Sequence, residues 1–387
     1  MQPWQDPELE EIRKAHAEFA KKELEGDASA RDRDGDFSRQ RWKTAADFGV
    51  LGICMPEDCG GQGRPVTHAV AAFEGLGQGC RDSGFLYAMC SQLFGIQMAI
   101  NLLAPKALKG RYLPKLIAGD SMSAHGFTEE SSGSDAFSME SFAEKKDGGY
   151  VLNGRKCFIT NAPSSDIALV FARTKEGRNP FGLVALLVEM DQDGARHGRE
   201  FEKVGLRTTH MGELIFENVF VPAENLISGS SGGLRVLMES TGWERAVLMA
   251  HALGPMARGL EACIERSRTR EQFGKPIGSF QQVSSRIADM TVTYRVCRQL
   301  VYDIASKLGT GTSIMPHLQD AAVTKLFVSE SFVRFEQNVL QILGVRGYLL
   351  DSFAQQDLRD SLSYTIWAGT SETLRNTIAK FAGVPVE

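Results

Sequence analysis

The chain has 387 residues, 43% hydrophobic and 24% charged, so it is long enough for two or three domains and apolar enough to bury a sizeable core. Its 43 basic and 48 acidic side chains leave a net charge of -5, which excludes a strongly basic nucleic-acid binder and argues against anchoring on an anionic membrane surface. The seven cysteines, at 54, 59, 80, 90, 157, 263 and 297, include no CxxC pair and read as reduced thiols of a cytoplasmic protein, neither a disulfide framework nor a zinc site.

The N-terminus, MQPWQDPELEEIRKAH, is acidic and has no apolar stretch, so neither a signal peptide nor a transit peptide is expected there. Leu9, Ile12, Ala15, Phe19 and Leu24 then mark one face of a first helix. A Gly-rich break at Asp58–Pro65 precedes helical patterns near residues 66–80, 84–103 and 105–118. Apolar runs such as Gly182–Val188 fall short of the ~20 residues of a membrane span. From Ser123 the hydrophobic period drops to two. In Gly149–Ile159, Asn153-Gly154 sits between two short extended runs, which predicts a hairpin turn with positive φ at both residues. Further strands are predicted at Asp166–Arg173, Phe181–Met190 and Gly212–Pro222. From Leu234 to Lys380 the pattern is helical again. The order α, β, α does not alternate βαβ, which speaks against a Rossmann sheet and for an α+β fold. Its expected domains are helical over residues 1–122, β over 123–232 and helical over 233–387.

No HExxH pair, P-loop or GxSxG elbow is present, and Gly75, Gly77 and Gly79 do not form GxGxxG after a strand, so they read as structural glycines. What stands out is an ordered set: GFTEESSGSD (Gly126–Asp135), KCFITN (Lys156–Asn161), GWERAV (Gly242–Val247), RTREQFGKPIGSFQ (Arg268–Gln281), QILGVRG (Gln341–Gly347) and AGTSETLR (Ala368–Arg375). Hydroxyls and free N–H groups in such turns suit a pyrophosphate and a polar ring edge, and an aromatic beside Thr on a strand can wall one face of a flavin.

In order and spacing these motifs resemble the acyl-CoA dehydrogenase family over residues 8–380. The resemblance implies an N-terminal helical domain, a middle β-domain and a C-terminal four-helix bundle, with FAD between them. It places Phe127 and Thr128 against the flavin, Ser134 at the pyrophosphate, Phe158 where the family has a tryptophan, and Thr160 at the ring edge. Arg270, Phe273, Gln281, Gln341 and Gly344 would hold the adenosine and pyrophosphate, partly across a subunit interface, which implies a homo-oligomer, at least a dimer and expected as a dimer of dimers. Thr370 and Glu372 would close the site. Trp243 and Trp367 flank the two possible base positions and are candidate walls of the acyl pocket.

Three departures from the family pattern matter. Glu130 stands where a proline is common, Val345 where a glycine is, and Ala368 where most members carry the catalytic glutamate. Glu244, in the apolar helical stretch Glu239–Ala250, compensates: the isovaleryl-CoA dehydrogenase branch places its base on this helix, directly before an arginine, with a small residue at the usual position. A base in an apolar cleft gains proton affinity from desolvation. The resemblance therefore implies α,β-dehydrogenation of an acyl thioester, with Glu244 taking the α-proton and hydride passing to flavin N5. The Ala368 N–H would act as an oxyanion donor, with Arg245 as the base's electrostatic partner. The thioester carrier would be coenzyme A or an acyl carrier protein, and the electron acceptor an electron-transfer flavoprotein. The rival readings are a flavin monooxygenase on the same fold and a non-catalytic FAD or acyl-thioester binding protein.

Overall fold

The computed structural model describes residues 3–174, 179–227, 229 and 232–386. Helix α1 (Pro7–Phe19) starts at Asp6, whose carboxylate accepts the Glu8 N–H, with proline in the first turn where a missing donor costs nothing. It runs into a π-helical segment, Ala20–Leu24. Leu9, Ala20 and Leu24 are buried, and Ile12 and Phe19 pack against the same core. Ala15 is exposed, off the face that carries the buried Leu9, Arg13 and Ala20. After α2 (Ala28–Asp34) and α3 (Arg39–Asp47), helix α4 (Val66–Gly79) lies against α1. A Cβ on Gly75 would fall 2.2 Å from the Arg13 carbonyl oxygen and one on Gly79 2.1 Å from that of Ala17. On Gly77 it would meet the His251 carbonyl at 2.4 Å. These three glycines are places of close backbone approach, a structural role as expected.

Helices α5 (Ser83–Cys90) and α6 (Met98–Leu103) are joined by a π-helical stretch, Ser91–Gln97. The combined Ser83–Leu103 helix is long and apolar enough to cross a membrane, contrary to the estimate from uninterrupted apolar runs. Its side chains are instead buried in the core from Ser83 to Ile100. Helix α7 (Lys106–Ile117) completes this part.

The middle of the chain forms one mixed sheet of eight strands: β1 (Ser123–Gly126), β2 (Phe142–Lys146), β3 (Gly149–Thr160), β4 (Ile167–Arg173), β5 (Leu183–Glu189), β6 (Ala195–Glu200), β7 (Met211–Pro222) and β8 (Leu226–Ile227). Their order is β6-β7-β3-β2-β4-β5-β8, with β1 parallel to β4. The turn predicted at Asn153-Gly154 is not one: β3 runs unbroken through it. Gly154, at φ +151°, sits at a register shift against β7, where the Asn153 carbonyl oxygen of the side chain accepts the Asn218 N–H at 2.8 Å. The hairpin turn lies six residues earlier, at Asp147-Gly148, between Lys146 and its partner Gly149, and Gly148 takes φ +79°.

Four long helices, α8 (Gly233–Val247), α9 (Leu253–Thr269), α10 (Gln281–Leu308) and α11 (Leu318–Leu343), pack together in the last part of the chain. Short α12 (Val345–Tyr348) and α13 (Phe353–Leu362) follow, and α14 (Ser371–Phe381) closes the chain against α11. The π-helical Ser91–Gln97 segment also packs on α8. That contact creates the site.

Candidate active site

Glu244 projects from α8 onto the π-helical segment. A Cβ built on Gly95 would sit 2.6 Å from Glu244 Oε1 and 3.1 Å from Cδ, so only glycine leaves room for the carboxylate. Burial pushes this carboxyl up from 4.5 to about 7, and the positive charge of Arg245 only partly offsets it. Tyr87, one helical stretch earlier, is close enough for Glu244 to raise its phenol further above the level that burial imposes. Thr160, at the end of β3, lies near enough to the Tyr87 hydroxyl to lower its phenol in turn. The Tyr87 ring lies 5.1 Å from Trp367, which is itself 5.1 Å from Tyr364. The structure thus brings Glu244, Thr160 and Trp367 around one aromatic residue.

The turn Ala368-Gly369 borders the same place. Ala368 takes φ +51°, a conformation that L residues adopt at a cost, and Gly369 takes φ +98°. Arg245 Nε donates to the Ala368 carbonyl at 2.8 Å, and Lys325 Nζ donates to the Gly369 carbonyl at 2.8 Å. No acceptor for the Ala368 N–H occurs among the described residues. Thr370 caps α14 by accepting the Thr373 N–H, and Glu372 is exposed in the first turn. Trp367 is half-buried at the site, whereas Trp243 is fully buried in the core.

The Gly126–Asp135 stretch follows β1. Its anchor is Glu129, buried with Lys156 of β3: the ammonium donates to the carboxylate at 2.7 Å and to the Phe127 carbonyl at 3.2 Å, while Glu129 also accepts the Ser141 N–H at 3.0 Å. This pair holds Phe127 and Thr128 beside β3, where Thr128 accepts the Cys157 N–H at 2.9 Å. Phe158 takes φ +59° and leaves half its surface exposed, and Ser134 is exposed in the turn. An aromatic held in a costly backbone conformation with half its surface open, two residues before the Thr160 hydroxyl on the same strand, fits a planar, polar-edged ring system such as a flavin.

Arg270, Phe273, Gln281, Gln341 and Gly344 are all exposed and gather elsewhere, at the ends of α9, α10 and α11. Phe273-Gly274, at φ +52° and +75°, is the two-residue turn of a small hairpin, Glu271–Gln272 with Lys275–Pro276. It leaves the Phe273 ring 92% exposed. Phe273, Phe280, Arg286 and Gln341 line a cavity of about 410 Å³ that Glu244 does not reach. Nearby, desolvation and then the charges of Arg346 and Arg270 depress the proton affinity of Arg266, and none of the three has a carboxylate partner among the described residues. Uncompensated arginines beside an open aromatic fit a nucleotide pyrophosphate and its base.

Four contributors escaped the sequence reading. Gly95 and Tyr87 lie in an apolar helix without a motif. Glu129 lay inside a quoted motif without a role. Lys325 carried a usable signal: it lies in register with Ala321, Val328 and Phe332 on the apolar face of α11 and is fully buried.

The fold has counterparts among known proteins. The family models for the acyl-CoA dehydrogenase N-terminal, middle and C-terminal domains match residues 6–120, 124–219 and 231–383. The chain is 34% identical to the mitochondrial isovaleryl-CoA dehydrogenase of Oryza sativa subsp. japonica over 97% of its own length and 91% of that protein's. It is 35% identical to the L-prolyl-[peptidyl-carrier protein] dehydrogenase of Pseudomonas fluorescens, over 89% and 90%. Among solved structures, the prolyl acyl carrier protein oxidase AnaB superposes with a TM-score of 0.94 at 31% identity, covering 98% of this chain and 100% of AnaB. Butyryl-CoA dehydrogenase from Megasphaera elsdenii does so with a TM-score of 0.92 at 30% identity, covering 97% of each chain. With all three domain models matched in order and these relatives aligned over nearly the whole length, the chain belongs to the acyl-CoA dehydrogenase family.

Proposed function

We propose that this protein is an FAD-dependent dehydrogenase that introduces an α,β double bond into an acyl thioester, with Glu244 as the base for the α-proton. The observation that carries this reading is the seat of Glu244: a carboxyl wedged against Gly95, raised to about 7 by burial, and grouped with Thr160, Trp367 and the free Ala368 N–H. A thioester α-C–H is a weak acid, so a base must combine high proton affinity with a substantial ionised fraction near neutral pH, and a pKa near 7 provides both. The proton ends on a Glu244 carboxylate oxygen. Arg245 limits how far burial raises that carboxyl and fixes the Ala368 carbonyl. The Ala368 N–H is the donor available to the thioester oxygen as negative charge develops there, and it remains although the side chain at 368 carries no acid. When bound, FAD supplies the hydride acceptor. Phe127, Thr128, Phe158 and Thr160 would hold its ring, Ser134, Arg270 and Gly344 the pyrophosphate, and Phe273, Gln281 and Gln341 the adenosine, with Thr370 and Glu372 at the closing turn. Arg270→Ala should lose FAD on dilution and dialysis without unfolding, because an exposed arginine contributes charge-assisted contacts rather than core packing. Retention equal to wild type would contradict the role given to Arg270.

The carrier is a thioester of coenzyme A or of an acyl carrier protein. Relatives named for both kinds of substrate align at similar identity, so anaerobic flavin bleaching against both classes of thioester tests the function and selects the carrier. An electron-transfer flavoprotein is the proposed acceptor, supported by the likeness to a chain from a structure of the electron transferring flavoprotein of Acidaminococcus fermentans, 32% identical with a TM-score of 0.92. We place the protein in the cytoplasm, in keeping with seven buried, unpaired cysteines. We also propose a dimer of dimers. Val345, Tyr348, Leu349 and Leu350 expose a run of large apolar side chains next to Gly344, and Phe273 is almost wholly exposed. Sedimentation should give a species of four chains, and a monomer with full FAD occupancy would contradict the assembly.

A further inference from the structure

Lys325 has no role in the chemistry described so far, yet its placement is costly. It is a fully buried lysine on α11 with no carboxylate within ion-pair distance among the described residues. Its ammonium donates to the Gly369 carbonyl at 2.8 Å and lies 5.3 Å from the centre of the Trp367 ring. Burying a cation without an ion-pair partner is unfavourable, and an apolar residue of similar length would fit the same place at lower cost. What the charge does hold is one of two consecutive carbonyls. The other, of Ala368, is held by Arg245 Nε, also at 2.8 Å. The first of these two carbonyls belongs to a residue with a Cβ at φ +51°, whose own N–H has no acceptor among the described residues. A non-glycine residue in that conformation persists only where its surroundings over-determine it. Two charge-assisted hydrogen bonds to successive peptide oxygens brace the turn, and they leave the Ala368 N–H as an unspent donor in the turn held by Arg245, the residue after Glu244 on α8.

We propose that Lys325 is a positioning residue for the dehydrogenation, acting with Arg245 as a two-point cationic clamp that orients the Ala368 N–H toward the thioester oxygen. This rests on the reading of the site as an acyl-thioester dehydrogenase, and on Ala368 as its oxyanion donor. Lys325 touches no reacting atom. Its effect travels through the Gly369 carbonyl and the backbone of the turn, with its positive charge adding to the field that favours an enolate-like oxygen. Removing one oxyanion donor costs roughly 10² to 10³ in rate, so loosening its mount should cost less, roughly 10- to 100-fold.

The test uses the FAD-loaded enzyme in a Glu244→Gln background, in which an accepted thioester, labelled with ¹³C at the carbonyl, binds without reacting. The carbonyl stretch of the bound thioester, by infrared difference spectroscopy, reads polarisation directly. Lys325→Met should move that band toward the frequency of the free thioester, and Lys325→Arg should restore much of the shift. With Glu244 intact, Lys325→Met should slow anaerobic flavin reduction roughly 10- to 100-fold while thioester affinity stays within about threefold. An unmoved carbonyl band overturns the proposal, even if the rate falls, because the lysine would then act only through general packing.

A second measurement needs no change at Lys325. Burial, then Arg245 on α8, depress its ammonium to about 7, against the opposing pull of Glu330 on its own helix and Glu372 on α14. In the Glu244→Gln enzyme the band should therefore drift toward the free frequency as pH rises through about 7, and a flat band overturns the clamp. A responsive band in an enzyme that still reduces its flavin without Glu244 would count against the base alone. An unresponsive band in an enzyme that does not would count against the clamp alone.

Discussion

Glu244→Gln should keep the fold, FAD and thioester binding while losing anaerobic flavin reduction by several orders of magnitude. The amide is nearly isosteric with the carboxyl and is neutral, as the protonated acid is, so the wedge against Gly95 survives. Loss of a general base alone is worth roughly 10² to 10⁴. No other acid is poised to replace it: position 368 is alanine, and Glu372 lies exposed at the start of α14. Moving the carboxylate gives a sharper form of the same result. Glu244→Gly with Ala368→Glu should recover part of the activity lost in Glu244→Gly alone, since 368 borders the same cleft. Recovery should stay below wild type, because a left-handed backbone at 368 and the surrounding packing were not built to aim a glutamate. Stopped-flow reduction by an accepted thioester reads both variants, and near-normal reduction in Glu244→Gln would remove the base from the mechanism.

Gly95→Ala should also slow the reaction, although it touches no expected substrate or cofactor atom. The new methyl would begin 2.6 Å from Glu244 Oε1 and 3.2 Å from its Cγ, so the carboxylate has to move. Helix α5 and the segment after it are buried along their length and cannot retreat instead. A displacement of about 1 Å at a catalytic group costs on the order of 10²-fold in rate. Alanine is also a better helix former than glycine, so thermal stability should change far less than the rate. The variant is therefore expected to unfold at close to the wild-type temperature, hold FAD, and reduce it about 10²-fold more slowly. A rate within about twofold of wild type would show that the seat of Glu244 tolerates movement.

Much of the fold could be read from period and order, because long amphipathic helices and alternating strands write their burial into local sequence. The failures are just as local in origin. Asn153-Gly154 has the chemistry of a tight turn, yet the strand absorbs it as a bulge, since Asn153 satisfies the Asn218 backbone from across the ladder and Gly154 takes the φ that the bulge needs. Asp147-Gly148 carried a similar signal and makes the turn. Strand β6, Ala195–Glu200, is polar and mostly exposed, so it shows no alternation to detect. At the site, Glu244 and Ala368 were visible because each departs from a pattern with a defined place in the chain. The supports were not. The fit of Gly95 to Glu244 joins positions 149 residues apart, and that of Lys325 to Gly369 joins positions 44 apart, and nothing at either end of each pair names the other. Of these, Lys325 alone had a local signal that could have found it, its spacing with Ala321, Val328 and Phe332 on the apolar face of α11.

The central claim is that a buried glutamate on α8 takes the α-proton, and its ionisation provides the most direct test. The carboxyl is raised, so it is protonated and idle below its pKa and available as a base above it. The rate constant for anaerobic flavin reduction at saturating thioester, followed from acid pH upward, should rise tenfold per pH unit toward pH 7, the value to which burial raises Glu244, and fall again above it as Lys325, depressed to about 7, loses its charge. In Glu244→Gln this rising limb should be absent from the small residual rate. A wild-type rate independent of pH across neutrality, or a limb that survives in Glu244→Gln, would contradict the account.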